Sequence, residues 1–179
     1  MPDYRRNRVP GGTYFFTVNL LERRRRLLVE HVDALRAAVR TVRDRHPFHI
    51  DAWVVLPDHL HCLWTLLPGD ADYSRRWKAI KTAFAKAVPR EESLSDVRRA
   101  NGERGVWQRR FWEHTIRDDH DYAAHMDYIC FNPVKHGWVE RVVDWPYSSF
   151  HRHVRAGVYP VDWGGGVEIE GVFGERRGD

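Results

Sequence analysis

Apolar positions along the chain switch between a two-residue and a helical period, and the switches mark out the elements. Residues 13–20 (TYFFTVNL) are dense in β-branched and aromatic side chains and predict a first strand. From 29 to 46 the apolar residues Val32, Leu35, Val39 and Val42 recur at helical spacing, and Pro47 ends that helix. Residues 48–56 alternate as a second strand, with Ile50, Ala52, Val54 and Leu56 assigned to one side. Pro57-Asp58 then makes a tight turn into a third strand over 59–66. A second amphipathic helix over 73–88 carries the stripe Trp77, Ile80, Phe84 and Val88. After a polar, Gly-punctuated connection over 89–105 with room for one short helix, residues 106–117 predict a fourth strand. Residues 118–131 predict a last helix packing through Tyr122, Met126, Ile129 and Cys130.

Strand, helix, strand, strand, helix, strand is the order of a ferredoxin-like α+β domain, βαββαβ with an antiparallel sheet and helices on one face. Here it gains an additional C-terminal helix and an irregular tail over 140–179. A length of 179 residues suits one domain spanning the chain. The breaker cluster Pro10-Gly11-Gly12 sets off residues 1–12 as a mobile basic arm, and residues 174–179 are expected to be disordered.

Composition narrows the partners. A net charge of +4 and a pI near 9.3, carried mostly by arginine, favour a polyanion. Eight tryptophans, seven tyrosines and eight phenylalanines suit base stacking on single-stranded nucleic acid, although most are assigned to the core, Trp112 and Trp138 included. Cys62 and Cys130 lie in apolar runs without zinc spacing and are expected as buried free thiols in a reducing compartment. Neither a signal peptide nor a bilayer-spanning run is apparent, so the expected location is cytoplasmic, with no membrane partner. The run Glu22-Arg23-Arg24-Arg25-Arg26 is taken as a solvated turn, with phosphate contact the minority alternative.

The chemistry starts at His59-Leu60-His61. On a strand these two imidazoles share one face about 7 Å apart, while Leu60, Cys62, Trp64 and Leu66 anchor the other in the core. Taken alone, such a pair is more often two surface histidines. On the last helix Tyr128 and Asn132 stand at i and i+4, which brings the phenol and the amide into the same space. Because Asn132 precedes Pro133, it is expected to end the helix. His114 is read as a strand histidine without a catalytic role, and Asp121 and His125 as meeting solvent. A divalent cation on His59 and His61, with the Asn132 amide oxygen as third ligand, would polarise a phosphate for in-line attack by Tyr128. Two imidazoles favour manganese or cobalt over magnesium. They bind only when neutral, so activity is expected to fall below about pH 6.

Taken together, YRRNRVPGGTYFFTVNL, WVVLPDHLHCLW, WQRRFWEHTIR, HMDYICFNPVKHGWV and DWPYSSFHRHV resemble the HUH single-tyrosine transposases, and within them the REP-associated tyrosine transposases. The resemblance covers nearly the whole chain. It implies a ferredoxin-like catalytic core, 13–139 here, that nicks and rejoins single-stranded DNA near hairpins of repetitive extragenic palindromes. A 5′-phosphotyrosine forms, a 3′-hydroxyl is freed, and magnesium or manganese assists. It further implies His59 and His61 as metal ligands, Tyr128 as nucleophile and Asn132 at the third ligand position, where some relatives carry Gln. Arg5, Arg6, Arg8, Arg109, Arg110 and Lys135 are the phosphate-binding candidates, by type and position. A homodimer is compatible, with Tyr128 acting in cis or across it. The alternative is a catalytically silent module that binds hairpin DNA or RNA on its sheet. A phosphoesterase with two H-x-T/S motifs lacks its second motif.

Overall fold

A computed structural model describes residues 5–165. Its sheet has four strands, β1 (Thr13–Asn19), β2 (Phe48–Val55), β3 (His59–Leu66) and β4 (Trp112–Thr115), in the order β2-β3-β1-β4. Every neighbouring pair is antiparallel. This is the expected ferredoxin-like arrangement, with β1 and β3 central. The predicted fourth strand is shorter than 106–117; upstream of β4 only an isolated bridge, Leu20 to Trp107, continues the pairing.

The predicted first helix divides at His31 into α1 (Leu27–Glu30) and α2 (Val32–Arg45). With α3 (Tyr73–Ala87) it covers one sheet face. On that face Trp64 of β3 stacks on Trp77 of α3 at 4.4 Å, and Phe16 of β1 packs edge-on to both at 4.9 and 5.5 Å. Each buried aromatic of this kind stabilises the fold by about 2–3 kcal/mol. The other face is covered by α5 (Asp119–Lys135), so β1 is buried on both sides. That is why TYFFTVN reads as a continuous apolar run rather than an alternation.

A register shift between Ile50 and Ala52 corrects the predicted β2 face. Ile50 pairs with Trp64, whereas Ala52 and Val54 pair with Leu63 and His61 and therefore turn to the α5 side. The short α4 (Asp96–Ala100), capped by the Ser95 side chain, is the helix allowed for in the 89–105 connection.

Two end segments depart from expectation. The described part of the basic arm is docked rather than mobile: the Tyr73 hydroxyl donates to the Asn7 carbonyl at 2.8 Å, and Gly11 N–H to the Asp70 carbonyl at 2.8 Å. The tail is not irregular throughout. It forms a 3-10 turn (Val142–Asp144) and α6 (Phe150–Arg155), and between them it closes the free edge of β2. Val55 N–H donates to the Tyr147 carbonyl at 2.9 Å, and Ser149 N–H to the Trp53 carbonyl at 2.8 Å. An edge strand's unpaired groups are satisfied this way. Residues 174–179 lie outside the described residues. Cys62 and Cys130 are buried free thiols, as expected. Among the described residues no helix is long and apolar enough to cross a membrane.

Candidate active site

The turn at Pro57-Asp58 is pinned by backbone bonds: Leu20 N–H donates to the Asp58 carbonyl at 2.8 Å and Leu28 N–H to the Pro57 carbonyl at 3.2 Å. It delivers His59 and His61 on the α5 face of β3 with both side chains buried. The rings lie 5.0 Å apart and nearly perpendicular. His59 donates from Nδ1 to an Asp58 carboxylate oxygen at 2.7 Å, and His61 Nδ1 shares a hydrogen bond with the Thr17 hydroxyl at 2.8 Å. Burial alone would push the Asp58 carboxyl up. The hydrogen bonds and charges of His59 and Arg23 outweigh it and hold the group down at about 2. A histidine with Nδ1 tied to an oxygen keeps Nε2 as its ligand atom, the usual outer-shell arrangement of a metal-binding imidazole.

Helix α5 brings the second half. Its start is capped by the Asp118 side chain, which accepts the Asp121 N–H at 2.8 Å. It ends in a Schellman motif: Gly137 N–H donates to the Val134 carbonyl, Trp138 N–H to the Pro133 carbonyl, and Gly137 has φ +71°. Asn132 therefore does not end the helix, contrary to the bias of a residue before proline. Burial of Ile129, Cys130 and Asn132, together with the cap beyond Pro133, outweighs that bias. The Tyr128 ring meets His61 edge-on at 5.2 Å and Phe15 at 5.9 Å. Lys135 Nζ donates to the Tyr128 hydroxyl at 3.0 Å and lies 4.7 Å from the ring centre.

Of the residues singled out in the sequence, His59, His61, Tyr128 and Asn132 thus stand on facing elements, with Lys135 among them. The arginines lie elsewhere. Arg6 pairs with Glu113 at 2.7 Å and covers the Phe111 ring at 3.9 Å, and Arg109 pairs with Glu103 at 2.9 Å. Arg5, Arg8 and Arg110 are exposed.

Three residues assigned no role form a second cluster. His114 donates from Nε2 to Asp121 at 2.8 Å, His125 lies 3.2 Å from the same carboxylate, and the two imidazoles stack at 4.8 Å. His114 neighbours β1, not the histidine strand, and Asp121 and His125 are buried rather than solvated. Their ligand atoms lie within 4.8 Å of one another, close enough to hold a cation. Burial raises the Asp121 carboxyl, but His114, the Arg117 N–H and the charge of His125 hold it at about 2. Burial in turn lowers His125.

Sequence reasoning also missed His136, whose ring is 5.1 Å from His59. The available signal was Gly137, a helix-stop residue that extends α5 to this point. A cavity of about 540 Å³ between α2 and β2 contains none of these groups.

The donor set fits a divalent cation: two imidazoles with oxygen-bound Nδ1 atoms, and a buried amide on the facing helix.

Comparison with known proteins gives the family. The family described as "Transposase IS200 like" matches residues 12–131. A "REP-associated tyrosine transposase" of Escherichia coli (strain K12) is 52% identical over 167 residues, 93% of either chain. A Haemophilus influenzae relative is 47% identical over 171 residues, 95% of this chain and 97% of its own. A solved structure of a REP-associated tyrosine transposase bound to a REP hairpin is 48% identical, covers both chains completely and superposes with a TM-score of 0.85. By the family match over residues 12–131 and 52% identity across 93% of either chain, the chain belongs to the REP-associated tyrosine transposases, within the IS200-like transposase family.

Proposed function

We propose that the chain cleaves and rejoins single-stranded DNA beside hairpins of the REP palindrome type, through a covalent 5′-phosphotyrosine on Tyr128. The observation that carries this reading is the edge-on contact of Tyr128 with His61 within one chain, with the Lys135 ammonium on its hydroxyl. It favours action in cis, by one copy or by each copy of a homodimer. The relative solved with a REP hairpin supports the substrate class, and action on palindromes of the bacterial chromosome would put the activity in the cytoplasm.

His59, His61 and the Asn132 amide oxygen would hold magnesium or manganese. When bound, that ion would neutralise charge on the scissile phosphate and on the departing 3′-oxygen. The chain's own groups do the rest. Lys135 orients the Tyr128 hydroxyl and favours its anionic form, since an ammonium donor stabilises a phenolate. Tyr128 Oη bonds to phosphorus as the P–O3′ bond breaks; the phenolic proton goes to solvent and the 3′-oxygen takes one up. Reversal by a 3′-hydroxyl rejoins the strand and frees Tyr128. Arg5, Arg6, Arg8, Arg109 and Arg110 contribute phosphate contacts. Arg6 and Arg109 would do so by exchanging their carboxylate partners for DNA.

Wild type and Tyr128→Phe, incubated with manganese and hairpin oligonucleotides carrying single-stranded flanks, test this on a denaturing gel. The expected result is a protein–DNA adduct in wild type only, abolished by chelator. Hairpin binding without an adduct would favour a silent binding module, and an adduct in Tyr128→Phe would mean another nucleophile.

A further inference from the structure

The four consecutive arginines, whose sequence suggests a solvated turn, line a cavity of about 210 Å³ together with His59, His136 and Trp138. Two guanidiniums are neutralised there: Arg23 by Asp58 at 2.8 Å and Arg25 by Glu91 at 2.6 Å. Arg24 and Arg26 are exposed and make no ion pair among the described residues, and the Arg26 guanidinium lies over one face of the Trp138 ring, 5.2 Å from its centre, a contact that a bound phosphate would draw it from. Trp138 is 43% exposed, against the expectation that it packs in the core. Its backbone is nonetheless fixed, because its N–H closes the cap of α5 on the Pro133 carbonyl. Uncompensated arginines beside a held, exposed indole are what a nucleotide needs: cations for the phosphate and a flat face for the base.

The place of the cavity says which nucleotide. Tyr128 and His136, the residue that caps α5, are eight residues apart, about 12 Å along the helix axis. Between their ends stand His61, 5.2 Å from Tyr128, and His59, 5.1 Å from His136. In-line displacement requires the leaving oxygen to depart opposite the nucleophile. Tyr128 approaches from the His61 side, so the strand bearing the 3′-oxygen emerges toward His59, His136 and the arginines.

We propose that this cavity is a nucleotide subsite in which Trp138 stacks the base, and Arg24 and Arg26 hold the phosphate, of the nucleotide ending in the leaving 3′-oxygen. The proposal rests on the cleavage reading above. Its use would be retention: a cleaved 3′-end held beside the phosphotyrosine attacks as an intramolecular reagent instead of diffusing away.

The test has two arms on the full-length chain. In the first, binding of a fluorescent (dT)₁₂ strand is measured against salt for wild type, Arg24→Ala/Arg26→Ala, Trp138→Ala and Trp138→Tyr, with thermal melts to verify folding. The arginine pair should lower the log–log salt slope by about 1. Trp138→Ala should weaken binding about tenfold, and Trp138→Tyr should restore most of it. Unchanged slope and affinity would reduce the cluster to surface packing and overturn the proposal. In the second arm, 2-aminopurine is scanned through the oligonucleotide on which wild type forms its adduct, using Tyr128→Phe to keep it uncleaved. Quenching that peaks immediately 5′ of the cleaved bond, and is lost with Trp138→Ala, supports the assignment; a peak on the 3′ side overturns it. If no adduct ever forms but the first arm succeeds, the cleavage reading falls while the binding site stands. If adducts form and the variants bind like wild type, the subsite falls alone.

Discussion

The Lys135 ammonium donates a 3.0 Å hydrogen bond to the Tyr128 hydroxyl from seven residues further along the same helix. Two turns of α5 thus carry both the proposed nucleophile and a cation placed on its hydroxyl. Lys135→Met should slow adduct formation about a hundredfold with hairpin affinity within about threefold of wild type, because one phosphate contact at most is lost. Parallel single-turnover and binding measurements would check this. Loss of binding with an unchanged cleavage rate would return Lys135 to the role of a simple phosphate contact.

Asp58 bonds His59 on one side and Arg23 on the other, and it stays ionised throughout the working pH range because its carboxyl is held at about 2. Asp58→Asn keeps the shape and removes the charge that orients the imidazole. Calorimetric titration with manganese should show affinity reduced about 10- to 100-fold. An affinity equal to wild type would exclude the outer-shell role.

The His114–Asp121–His125 cluster gives a pH dependence of stability. The Asp121 carboxyl lies at about 2 when folded and near its ordinary value when unfolded. Between about pH 4 and pH 2 the unfolded chain therefore binds more protons. The stabilisation is complete above about pH 4 and is lost as pH falls through 2. Asp121→Asn should cost about 1–3 kcal/mol at neutral pH and show a shallower loss of stability from about pH 4 to pH 2 in urea titrations. Equal acid sensitivity in the two proteins would contradict this.

Trp77 is fully buried and stacks at 4.4 Å on Trp64, directly behind the histidine strand. Trp77→Ala should destabilise the protein by about 3–5 kcal/mol. Trp77→Phe, which keeps an aromatic face on Trp64, should cost much less. Chemical denaturation of the two variants distinguishes lost packing volume from a general intolerance of change at this site.

Local sequence determined most of the elements and the half-sites they carry. The density of β-branched and aromatic residues located β1, helical and two-residue periods located α3 and β2, and the His-Leu-His alternation of β3 necessarily put both imidazoles on one strand face. The i, i+4 spacing did the same for Tyr128 and Asn132. Their meeting was legible only through a resemblance spanning the chain, because no local pattern states which strand a helix will cover.

Tertiary structure decided everything that depends on a second element. The bulge between Ile50 and Ala52 moved half of β2 to the other face, a shift that alternation alone does not encode. Packing of Ile129, Cys130 and Asn132 carried α5 through Pro133 against the local bias, and so brought His136 to His59. Asp121 and His125 look solvated on an isolated helix, yet β4 supplies His114 and buries them. Arg23, Arg24, Arg25 and Arg26 are alike in sequence; only the fold gives two of them carboxylates and leaves the other two beside Trp138. Side-chain periodicity is set by backbone geometry within one element and can be read there. Partner choice depends on which surfaces the folded chain brings within a few ångströms.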